Sequence, residues 1–176
     1  MLVQKLLQFA QPAEYAGYME SVDVNGLGYR DHSWGMRNDQ LTLEHNWTFI
    51  NLPGMGGHFM TIRNGWRPDN RVVEGYIAKP EGNEVAKSLT IEHVGDGPQG
   101  MPNSVIYRIK TIDGAPYTIV ADVAGSFARL PLISQKPGEK VYHIVENMCP
   151  CRCEETGERG YANVEIGALK DPRDIA

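Results

Sequence analysis

Leu41-Thr42-Leu43-Glu44-His45-Asn46-Trp47-Thr48-Phe49 changes character at every step. One set of positions carries Leu41, Leu43, His45, Trp47 and Phe49, and the other carries Thr42, Glu44, Asn46 and Thr48. A β-strand sends successive side chains to opposite faces, so the stretch predicts a half-buried strand. The set with the larger apolar side chains is expected to look inward.

The same period recurs along the chain. Val85, Lys87, Leu89, Ile91 and His93 share one face, with Ser88, Thr90 and Glu92 on a wet one. Val105, Tyr107 and Ile109 oppose Ser104, Arg108 and Lys110. Turn signals separate these runs: Asn25-Gly26, Pro53-Gly54, Asn64-Gly65, Pro80-Glu81-Gly82, Gly95-Asp96-Gly97, Asp113-Gly114, Pro137-Gly138 and Thr156-Gly157. Asp113-Gly114 is the strongest hairpin signal, because a two-residue type I′ turn needs φ > 0 at both central positions. The last two strands, near 141–153 and 159–168, are expected to close a hairpin around Glu155-Thr156-Gly157. Roughly nine or ten short strands punctuated in this way predict an all-β, antiparallel barrel with little helix. The best helical candidate is residues 2–10, within an N-terminal arm or short helix over 1–11. An eight-stranded barrel of this kind has room for one small ligand.

The 176 residues suggest a single domain over 1–176, large enough to bury a core without staples. Its formal net charge is -5. A basic footprint for nucleic acid is therefore missing, and no stretch has the length of a membrane span. The apolar start is short and broken by Gln4 and Gln8, unlike a signal peptide. Three cysteines lie within five positions, which is no disulfide framework and makes the cytoplasm the expected compartment. In Cys149-Pro150-Cys151-Arg152-Cys153 the thiols are too far apart along a strand to share one ion. They read as small buried side chains on one face, and Pro150 as an edge, bulge or bend. Gly54-Met55-Gly56-Gly57 lacks the Lys-Ser/Thr of a phosphate loop and reads as a strand-to-strand turn. No histidine spacing marks a zinc site. Neither a metal nor another cofactor is expected.

Gly28-Tyr29-Arg30-Asp31-His32-Ser33-Trp34-Gly35 gathers two titratable groups, an arginine and a tryptophan at a strand end. This motif resembles that of the lipocalin-like carotenoid hydratases (hydroxyneurosporene synthase) and the related AttH proteins. The likeness covers about residues 12–168, including the closing hairpin from Gly160-Tyr161 to Glu165. The resemblance implies a lipocalin-like, calycin-type barrel with a cavity for isoprenoid-, steroid- or polyketide-like molecules. It also implies that the chain corresponds to the second lobe of a two-lobed protein, so a homodimer would supply the missing surface.

The resemblance makes Asp31 and His32 a candidate acid–base pair, and histidine is suited to proton transfer at neutral pH. The same residues also suit a buried polar network closing the barrel. Glu165 is a candidate second carboxylate, or a partner for Arg30 or Arg37; a solvated outer face is the alternative. Tyr29, Trp34, Arg37, His45, Trp47 and Met60 are the candidate substrate-binding residues, with His45 favoured among the histidines because Trp47 and Phe49 share its face. Two functions follow as expectations. One is a cofactor-independent isomerase, cyclase or hydratase acting on an apolar small molecule in the cavity. The other is a carrier of such a molecule, or a structural lobe of a dimer.

Overall fold

Strands joined by tight turns pair with their sequence neighbours, and this chain follows that rule nearly throughout. The computed structural model describes residues 42–64, 71–97, 101–124, 128–132 and 141–170. They form β1 (Thr42–Asn51), β2 (Gly56–Asn64), β3 (Arg71–Lys79), β4 (Gly82–Val94), β5 (Ser104–Thr111), β6 (Pro116–Asp122), β7 (Ala128–Leu132), β8 (Val141–Cys153) and β9 (Arg159–Lys170). The sheet order is β6-β5-β4-β3-β2-β1-β9-β8-β7, with every pair antiparallel. A further pairing of β6 with β8 closes an eight-stranded barrel, consistent with the lipocalin-like form.

The closure has a seam. β8 pairs with β7 over Tyr142 to Glu146, then with β6 over Cys151 to Cys153. Between those stretches, Asn147 donates from Nδ2 to the Val123 carbonyl at 2.9 Å. The candidate helix over 2–10 lies outside the described residues. Among those described, no helix is long and apolar enough to cross a membrane.

The barrel interior is settled by Tyr107 on β5. It stacks on Phe59 of β2, ring centroids 5.2 Å apart, and its hydroxyl lies 2.6 Å from Thr48 Oγ1 on β1. β5 and β1 are not neighbours in the sheet, so this bond crosses the lumen. Thr48 in turn donates to Asn46 Oδ1 at 3.1 Å. Burial holds the Tyr107 phenol protonated well above its usual range.

Thr48 at 0%, Ile50 at 2% and Asn46 at 3% exposure therefore form the inner face of β1. This corrects the expected orientation of the strand. The half-buried set containing His45, Trp47 and Phe49 lies on the outer wall. The physical reason is volume: Tyr107 and Phe59 fill the lumen, and the β1 positions facing them are small enough to admit them. Met60, paired with Trp47, is outward too.

Two further expectations are adjusted. The register between β4 and β5 shifts between Ala86 and Ser88, so a bulge at Lys87 resets the alternation. Val85 is consequently exposed at 52%, while Leu89 and Ile91 pack on the core. His93 ends up exposed near the strand end. The Asp113-Gly114 turn holds three residues, Ile112 to Gly114, closed by a bond from Thr111 N–H to the Ala115 carbonyl. Gly114 at φ 93° supplies the left-handed position such a loop needs.

The cysteines sit as the sequence predicts. Cys149, Cys151 and Cys153 are buried, unpaired and on one face of β8. Burial pushes the Cys149 thiol up to about 12 and the Cys151 thiol up to about 11, so both stay protonated and unreactive.

Candidate acid–base site on the outer wall

Antiparallel pairing lines outward side chains up in rows across the strands. One row runs Glu74–Met60–Trp47–Glu165–Glu146 across β3, β2, β1, β9 and β8. A second runs Tyr76–His58–Phe49–Asn163–Met148. A third places His45 beside Gly167 and then Ile144. Glu165, His45, Trp47 and Met60 thus come together, but on the outside of the barrel. The inward orientation expected of His45 and Trp47 is corrected accordingly, and for Glu165 the outer-face alternative holds. Tyr29, Asp31, His32, Trp34 and Arg37 lie outside the described residues.

His45 is the centre of the group. Its Nε2 is 2.6 Å from Glu165 Oε1, and its Nδ1 hydrogen-bonds the Tyr142 hydroxyl. The His45 side chain is 10% exposed and that of Glu165 24%. One proton arrangement satisfies both ring nitrogens: Nε2–H donates to the carboxylate, and Nδ1 accepts from the phenol. β9 lies between His45 and Tyr142, and Gly167 makes the reach feasible. A Cβ at position 167 would collide with the His45 ring and stand 2.9 Å from the Tyr142 oxygen. The bare backbone leaves the imidazole free to lie across the strand.

Glu165 has a second neighbour. Glu146 is its direct cross-strand partner, so the two carboxyl groups stand side by side on the outer wall. Burial, then the Glu165 carboxylate, raises the Glu146 carboxyl above its ordinary value. Two carboxyls this close favour a state with one proton between them. The result is a chain of exchangeable groups: Glu146, Glu165, His45, Tyr142.

Beside this chain runs an aromatic strip. Phe49 and His58 stack with centroids 4.6 Å apart, Trp47 lies 5.1 Å from His58, and Tyr76 lies 5.9 Å from His58. All four are half-buried. Chemically, the arrangement can hold a flat apolar molecule against ring faces and exchange a proton beside it.

The sequence marked His45 and Glu165 and left out Tyr142, Glu146, His58 and Tyr76. Alternation does put Tyr142 and Glu146 on one face of β8. The hairpin then fixes the rest: the four residues Glu154–Gly157 separate Cys153 from Glu158, and that count sets Glu146 opposite Glu165. Among the described residues no cluster of three or more His, Cys, Asp or Glu could hold a metal ion.

Residues 17–170 match the family model described as a domain of unknown function, DUF7064, and the chain belongs to that family. No curated protein matches it.

Proposed function

We propose that this chain is an acid–base enzyme that moves a proton on an apolar small molecule, as an isomerase, cyclase or hydratase. One observation carries the proposal: the His45 imidazole bridges the Glu165 carboxylate and the Tyr142 phenol beside an aromatic strip. In this account the Glu146 carboxyl, whose hold on its proton is strengthened by burial and by Glu165, is the acid that gives a proton to a substrate carbon or oxygen. Glu165 stands beside it, and His45 and Tyr142 are hydrogen-bonded in line behind Glu165, so charge that develops there is spread along the bonds. Trp47, Phe49 and Tyr76 hold the apolar body and face any cationic intermediate. The resemblance to the carotenoid hydratases supports an isoprenoid-, steroid- or polyketide-like substrate. Asp31 and His32 belong to the same proposal as a second acid–base pair.

The test is proton exchange. The full chain is incubated in deuterated water with a sterol enone, a terpene alkene and a β-diketone, and mass spectrometry follows deuterium in each. Uptake above the protein-free rate in at least one probe is expected. Glu165→Gln and His45→Ala should slow it by about a hundredfold or more, the usual size of a general acid–base contribution. Circular dichroism confirms that the variants stay folded. No uptake by any probe, or unchanged uptake in both variants, overturns the proposal. The aromatic strip equally suits a carrier. Saturable binding of a probe recovered without deuterium would establish that reading instead.

A further inference from the structure

The second half of β8 carries a feature that the acid–base chain does not use. Where β8 changes partner from β7 to β6, the outer wall folds into a groove of about 500 Å³. Its outward side chains come from two rows on three strands, with Cys151 and Gly160 paired between them. Val120, Arg152 and Arg159 form one; Pro150 and Tyr161 pair in the other, with Asp122 beyond Pro150.

Arg152 and Arg159 are direct cross-strand partners. Like charges in that position destabilise a sheet. The pair is poorly compensated. Arg152 meets Glu154 only at 3.7 Å and is 49% exposed, and Arg159 makes no ion pair among the described residues. The Tyr161 phenol beside them is 63% exposed. Two adjacent guanidinium forks with a phenol donor match the oxygens of a bound anion. Val120 and Pro150 give the floor an apolar part. Asp122 lines the same groove and repels a second negative charge.

We propose that the groove binds a monoanionic carboxylate attached to an apolar chain, with Arg152 and Arg159 clamping the oxygens and Tyr161 donating a third hydrogen bond. The occupant chemistry follows from the lining. The arginine pair supplies the attraction, the apolar floor accepts the chain, and Asp122 disfavours dianions such as hydrogen phosphate.

Titration calorimetry on the full chain tests this with octanoate and inorganic phosphate as probes, at low and high salt. Saturable octanoate binding that weakens with salt is expected, with phosphate binding much more weakly. Arg152→Gln and Arg159→Gln should each weaken octanoate by about tenfold, the loss of one charge-assisted contact, and the double variant should abolish it. Asp122→Asn should improve phosphate binding. All three positions are exposed, so folding is not at stake. Absence of saturable octanoate binding, or equal binding by the double variant, overturns the proposal. These substitutions lie on rows away from His45, so they leave the deuterium-exchange test to stand or fall separately.

Discussion

The two faces of β1 invite comparison. Inward are Asn46, Thr48 and Ile50; outward are His45, Trp47 and Phe49. By composition the outward face is the more apolar. By burial it is the more exposed. The difference teaches that a strand's inner face is chosen by what must fit across the lumen, here Tyr107 and Phe59, more than by its own hydrophobicity. The two faces also divide the labour. Inside, polar groups such as Thr48 and Asn46 serve to anchor one tyrosine. Outside, the polar groups form a connected chain that can exchange protons.

If this division is right, the inner face should dominate stability. Tyr107→Ala should cost roughly 3–5 kcal/mol, because it empties a large buried volume. Urea unfolding measures it, and a loss no greater than that of Phe49→Ala would break the comparison. Thr48→Val keeps the shape but strips the Tyr107 hydroxyl and Asn46 Oδ1 of a partner. A loss of about 1–3 kcal/mol is expected for such stranded buried groups, read from the same unfolding midpoints. Phe49→Ala, on the half-buried outer strip, should cost only about 1 kcal/mol.

The smallest effect concerns pH. The Glu146 carboxyl is raised in the folded chain by burial and by Glu165, so its protonated form is the one folding favours. Its contribution is full below the ordinary carboxyl value and is lost as pH rises through the raised one. Glu146→Gln should therefore flatten the decline in stability over that window. Melting temperatures across mildly acidic to neutral pH check this, and a decline as steep as the parent's would count against the shared proton.

Parts of this picture are legible in the sequence. Val105, Tyr107 and Ile109 face inward as their alternation predicts, and the closing hairpin falls where Thr156-Gly157 places it. The three cysteines are buried on one face, as two-residue spacing on a strand requires. The orientation of β1 was hidden, since its inward residues are small and polar and owe their burial to a tyrosine about sixty positions away. Val85 was misplaced by a bulge that no single residue announces. The acid–base chain was half visible: His45 and Glu165 stand out as residue types, whereas Tyr142 joins them only through contact over an intervening strand. The Tyr29–Arg37 candidates fall outside the described residues.

Gly167 links these observations in evolutionary terms. A glycine on the outer side of a strand contributes nothing to a core, so drift would ordinarily replace it. Here any larger residue evicts the imidazole from its place against Tyr142. The coincidence of a histidine at 45 with a glycine at 167 is thus a two-letter signature. Across relatives, the two positions should change together or not at all. A lineage that has traded the glycine for a bulkier residue has also abandoned whatever the histidine does.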